Sequence, residues 1–219
     1  MKGHTALIAG ATGLVGGECL RLLLEDARYS TVTIVTRRPL GATARHPKVR
    51  EVVVDFDRLE SVRAGLYAEH VFCALGTTIR RAGSKAKFRQ VDFEYPRRLA
   101  ELTLANGARY FSLVSALGAS TSSAFFYSQV KGELEDSLRA MGWPGLCLVR
   151  PSVITGERQE SRPVERISEH LLRFAPRAWR PVPAGQIAAA MVATAWRSPK
   201  GVTTIESRDI SLAASATGP

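Results

Sequence analysis

Residues 7–17 read LIAGATGLVGG, with Gly10, Gly13 and Gly16 spaced three apart. The residues just before them, Thr5–Ala9, have the length and apolar character of a short buried strand. Those after, Gly17–Ala27, place Cys19, Leu20, Leu23 and Leu24 along one helical stripe. Glycines between a strand and a helix let the backbone turn tightly and let a phosphate approach it. The helix start behind them offers free N–H groups and a positive dipole end. As the first strand–turn–helix of a doubly wound sheet, the stretch predicts a pyrophosphate site.

The rest of the chain repeats the alternation. Strands are expected at Thr31–Thr36, Val49–Val54, His70–Leu75, Tyr110–Val114 and Gly145–Val149, with a further one at Gly201–Glu206. A helix is expected over Phe88–Asn106, closed by Gly107, and a buried one over Ala184–Trp196. Between the fifth and sixth strands lies the helix bearing Tyr127 and Lys131. This pattern predicts an α/β fold of Rossmann type, a doubly wound and mostly parallel sheet with helices on both faces. Neither a repeat nor a linker divides the chain, so residues 1–219 are expected to form one domain. The Arg- and Pro-rich stretch 155–183 reads as an excursion covering substrate or cofactor. Within it Val164, Ile167, Leu171 and Phe174 describe an amphipathic helix suited to covering a core edge, and 211–219 reads as a frayed tail.

Composition narrows the classes. A net charge of +10 and a pI near 10.1 invite an acidic partner, but the basic residues are dispersed and no block of like charge suggests a nucleic-acid tail. Nucleic acid is therefore not the expected partner. Three distant cysteines and four scattered histidines give no metal-ligand spacing, so no metal is expected. No run approaches the ~20 apolar residues of a spanning helix and the N-terminus is a poor signal peptide, so a cytoplasmic chain with no membrane partner is expected.

The end of the second strand selects between cofactors. An NAD site presents a carboxylate there to bind ribose hydroxyls. Here the segment is TRRPL, and Arg37 and Arg38 are suited to a 2′-phosphate instead. NADPH/NADP is the expected cofactor. Asp55, ending the third strand, can reach an adenine edge or cap the helix that follows. Leu75 and Gly76, after the fourth strand, would lie beneath the cofactor.

Tyr127 and Lys131 are four apart, hence on one helix face. Ser115 precedes Tyr127 by twelve residues and ends the fifth strand, at the carboxyl edge where such sheets bind ligands. A carbonyl reductase needs a proton donor beside the substrate oxygen. Tyr127 would be that acid/base, Lys131 its electrostatic partner and a ribose contact, and Ser115 the group that orients the carbonyl.

The glycine turn, Arg37-Arg38, Ser115 and YSQVK at 127–131 resemble the short-chain dehydrogenase/reductase superfamily. LGTTIRRAG at 75–83, VDFEYP at 91–96, YSQVKGELE at 127–135 and RQESRP at 158–163 resemble its atypical branch, which contains the mammalian Tat-interacting protein. The resemblance implies NADPH binding. It assigns Thr12, Gly13, Leu14 and Val15 to the pyrophosphate turn and Arg37 and Arg38 to the 2′-phosphate. It also assigns Leu75, Gly76, Tyr127, Lys131, Ile154 and Arg162 to cofactor contacts. Two departures stand out: CALGTT replaces the superfamily's Asn-Asn-Ala-Gly segment, and Ala116 stands where the Tat-interacting relative has a second serine. The function expected is an oxidoreductase acting on a small carbonyl or alcohol substrate. The alternative is an NADPH-responsive binding protein with a protein partner.

Overall fold

The computed structural model describes residues 3–156, 179–197 and 200–215. Nine strands are described: β1 (His4–Ala9), β2 (Tyr29–Thr36), β3 (Val49–Val53), β4 (His70–Cys73), β5 (Tyr110–Val114), β6 (Gly145–Arg150), β7 (Ile154–Thr155), β8 (Val182–Pro183) and β9 (Gly201–Glu206). Seven form one sheet in the order β3-β2-β1-β4-β5-β6-β9, and every neighbouring pair is parallel. The order reverses between β1 and β4, and at that switch point the carboxyl ends open a crevice for ligands.

The helices are α1 (Leu14–Glu25), α2 (Ile79–Ala82), α3 (Lys85–Arg89), α4 (Tyr95–Ala105), α5 (Phe126–Ala140), α6 (Ala184–Arg197) and α7 (Ile210–Ser215). One core layer packs Cys19, Leu20 and Leu23 of α1 and Ile187 and Met191 of α6 on one sheet face. The other packs Leu99 of α4 with Leu134 and Leu138 of α5 on the opposite face. The central strands β4, β5 and β6 are buried on both sides because both faces are covered. Cys19, Cys73 and Cys147 are all buried and free, and they pack as small hydrophobes.

Three expectations need correction. The helix expected over Phe88–Asn106 is instead α3, a π-helical turn at Gln90–Glu94 and α4. Part of the expected tail, 211–215, is helical as the body of α7: Ile210 at its start is buried and α7 packs on α6, a tertiary stabilisation that local sequence does not register. The fourth strand stops at Cys73, so Leu75 and Gly76 belong to the loop beyond it. Of the 155–183 excursion, the two ends are described: Ile154–Thr155 pairs with Val182–Pro183 as a separate parallel ladder. The expected helix through Val164, Ile167, Leu171 and Phe174 lies outside the described residues.

Candidate functional site

The glycine turn is shaped by steric necessity. Gly10 has φ +91°, and a Cβ there would lie 2.5 Å from the Ala74 carbonyl oxygen. A Cβ on Gly16 would lie 2.0 Å from the Gly10 carbonyl oxygen, so only glycine lets α1 dock on its own loop. The Gly13 N–H donates to the Gly10 carbonyl at 2.9 Å. Gly13 then precedes α1 without a side-chain cap, and the first turn contains no acid. The opening N–H groups of the helix are thus left for an anion. Thr12 and Gly13 are exposed and Leu14 half-buried, while the Val15 side chain is in the core. Val15 can therefore meet a cofactor only through its backbone. Ile154 packs on the same core layer as Leu14, and a Cβ on the neighbouring Gly156 would lie 3.3 Å from Leu14 Cδ2. The fold thus brings β7 to the glycine turn.

At the end of β2 the Thr36 hydroxyl donates to the Arg38 carbonyl at 2.9 Å, pinning the turn that carries Arg37 and Arg38. Both side chains are exposed, and neither forms an ion pair among the described residues. Arg37 lines a cavity of about 330 Å³ with Val53, Val54 and Asp55. The Asp55 carboxylate accepts the Asp57 N–H at 3.0 Å and caps the 3₁₀ segment Phe56–Gly65. Capping and a place on the cavity wall are compatible for this residue. An uncapped helix start, a turn with no room for a Cβ and two unpaired guanidinium groups are the donor set a phosphorylated dinucleotide requires.

On α5, Tyr127 is 38% exposed and its ring packs against Phe88 at 5.5 Å between centroids. One turn on, Lys131 is 3% exposed, and its Nζ lies 2.8 Å from Asp92 Oδ1. Burial opposes the lysine's charge, but Asp92 and then Tyr127 more than offset it and hold its pKa above the ordinary value. Leu75 is partly buried and packs on the core layer of α4 and α5. Gly76 lies over the Asp92–Lys131 pair: a Cβ there would come within 3.3 Å of Asp92 Oδ1 and 3.8 Å of Lys131 Nζ.

The Ser115 side chain is buried and turned to α5. Its hydroxyl donates to Glu135 Oε1 at 2.5 Å, and Glu135 follows Tyr127 by eight residues, about 12 Å along the helix axis. The backbone remains extended past β5, with Ser115 N–H bonded to Val149 O and Leu117 N–H to Pro151 O. Successive side chains therefore point to opposite sides, and the neighbour of Ser115 on the other side is Ala116. The sequence expectation that Ser115 orients a carbonyl is not what the geometry supports: this serine ties β5 to α5.

Glu135 is 0% exposed. It also accepts Arg150 Nε at 2.9 Å, Arg150 Nη2 at 2.6 Å and Arg139 Nη2 at 3.0 Å. Arg150 continues to Glu206 at 2.9 Å, so the network joins the carboxyl ends of β6 and β9 to the helix that bears Tyr127. Sequence reasoning misses Asp92 and Glu135 because each finds its partners through tertiary packing. Helical spacing offered a signal for Glu135 alone, which continues the Tyr127, Lys131 stripe at i+8; Asp92 stood only within the motif VDFEYP. Arg162 lies outside the described residues.

The NAD(P)H-binding family matches residues 10–195. Protein HTATIP2 of Rattus norvegicus is 37% identical over 181 residues, covering 82% of this chain and 74% of that protein. A mitochondrial protein fmp52 of Aspergillus clavatus is 35% identical over 177 residues, 78% of this chain and 75% of its own. Among solved structures, MoeE5 in complex with UDP-glucose and NAD superposes with a TM-score of 0.71 at 19% identity, covering 92% of this chain and 76% of that one, a likeness of fold. The chain belongs to the NAD(P)H-binding family, in the atypical short-chain dehydrogenase/reductase branch that includes HTATIP2 and the FMP52 proteins.

Proposed function

We propose that the chain is an NADP(H)-dependent oxidoreductase acting on a small carbonyl or alcohol substrate. The observation that carries this reading is that Tyr127 precedes the buried Lys131 by one turn of α5, with the Lys131 Nζ 3.8 Å from where a Cβ on Gly76 would lie. Arg37 and Arg38, exposed and unpaired by any described carboxylate, favour the 2′-phosphorylated cofactor. A bound nicotinamide would supply or accept the hydride. The protein supplies the rest: Tyr127, a partly exposed residue, gives a proton to the substrate oxygen or takes it back. Lys131 stabilises the phenolate by its charge. Ser115 has no part in this mechanism. Three buried, unpaired cysteines suit a reducing compartment, and a cytoplasmic location is part of this proposal. Replacing Tyr127→Phe should abolish carbonyl reduction while NADPH affinity stays within about twofold. Full turnover in that variant would remove Tyr127 from the chemistry.

The engagement of Ser115 by Glu135, with Ala116 beside it, favours a second reading in which cofactor occupancy controls a protein partner without turnover. Pull-downs with and without NADPH separate the two. A partner set that changes with NADPH supports the sensor, and an identical set counts against it.

A further inference from the structure

Neither composition nor spacing singles out Asp92. It lies in the turn Gln90–Glu94, where the backbone between α3 and α4 takes π geometry. π turns are rare and are found frequently at functional sites, where the extra residue re-aims a side chain. Here Asp92 turns inward and is 1% exposed. Its two oxygens are divided between two elements. Oδ1 meets Lys131 Nζ of α5 at 2.8 Å, and Oδ2 accepts the Thr77 N–H of the loop after β4 at 2.8 Å. Gly76 lies directly over the pair, with space for backbone but only tight space for a Cβ.

We propose that Asp92 is a positioning residue that fixes Lys131 and the Leu75–Thr77 loop relative to one another through the two oxygens of a single carboxylate. This rests on the roles given to Tyr127 and Lys131 above. A lysine on a flexible four-carbon stem must keep one place if it is to serve a phenol on one side and a cofactor ribose on the other. An ammonium at this depth must also have a counter-charge, or it gives up its proton. The described groups that face Lys131 Nζ are Asp92 from the π turn, Tyr127 from its own helix and Cys73 from β4. Burial pushes the Cys73 thiol up to about 11, so near neutral pH it supplies no competing charge. The Glu135 carboxylate, one turn further along α5, is already taken by Arg150 and Arg139. The counter-charge therefore falls to Asp92.

The test is Asp92→Asn, which removes the charge but keeps an acceptor for Thr77. The Lys131 side-chain nitrogen is followed by NMR in 15N-lysine-labelled protein, with its resonance assigned by its loss in Lys131→Met. No cofactor is needed, so failure of wild-type protein to bind NADPH would fall on the proposed function and leave this measurement intact. In Asp92→Asn the Lys131 ionisation midpoint is expected to fall by at least about one pH unit, tenfold in its ionisation constant. NADPH affinity should then weaken more at alkaline than at mildly acidic pH. An unchanged midpoint, or a loss of affinity by the same factor at every pH, would reduce Asp92 to a structural contact and overturn the proposal. If Asp92→Asn fails to fold, the double variant Asp92→Asn/Lys131→Met decides. Recovery of folding assigns the defect to the unpaired ammonium, and no recovery overturns the proposal.

Discussion

Replacing Arg150→Met tests whether the network under α5 holds the candidate site in place. Glu135 is wholly buried, and the replacement deletes two of the four hydrogen bonds it receives, those from Arg150 Nε and Nη2. The bonds from Ser115 and Arg139 remain. Breaking a buried pair by removing one partner costs about 3–5 kcal/mol, because the other charge is stranded. With two donors left, the lower end, about 3 kcal/mol, is expected. For a chain of this size that is a fall of about 6–12 °C in Tm, at roughly 2–4 °C per kcal/mol. Urea unfolding of both proteins at neutral pH measures this, and Arg150→Met/Glu135→Leu should regain most of the loss. A deficit below about 1 kcal/mol would refute the reasoning, since it would mean that water already solvates Glu135.

Two further outcomes follow from the same geometry. His70 is buried in an aromatic cluster with Tyr29, whose hydroxyl lies 2.8 Å from His70 Nδ1, and burial first, then the neighbouring His4, lowers its pKa to about 4. Between that value and about 6.5 the unfolded chain binds a proton that the folded chain refuses, so stability is complete above pH ~6.5 and about 2 kcal/mol is lost by pH 5. His70→Gln should flatten that part of the urea-midpoint profile, and an unaltered slope would show that His70 is not its source. Ser115→Ala should lower stability by about 1.5–3 kcal/mol, the range for a hydrogen bond to a charged group. It should leave any carbonyl reduction within a few-fold of wild type. A fall of a hundredfold or more in kcat would restore Ser115 to the chemistry.

Features set by local rules were legible in the sequence. Tyr110–Val114 has the same bounds in sequence and structure because an apolar run between Gly107 and the next loop leaves little choice. The glycine turn was legible because steric exclusion at Gly10 and Gly16 is a backbone property. The sequence pattern starts α1 three residues late, at Gly17 instead of Leu14, because glycines that serve a turn look like helix breakers. The π turn was not legible: its register shift is held by Asp92 reaching Lys131 and Thr77, partners 39 and 15 positions away. The direction of the Ser115 hydroxyl was hidden for the same reason. Spacing put it near Tyr127, but strand alternation at the end of β5 and the buried Glu135 decide where it points.

The decisive measurement is a side-by-side fluorescence titration of the purified protein with NADPH and NADH, repeated on Arg37→Ala/Arg38→Ala. NADPH should bind at least about tenfold more tightly than NADH, since each charge-assisted contact to a phosphate contributes about 1.5–3 kcal/mol. The double variant should lose that preference while retaining NADH affinity. Equal affinity for the two nucleotides would contradict the assignment of Arg37 and Arg38, and no binding of either would contradict the nucleotide site itself.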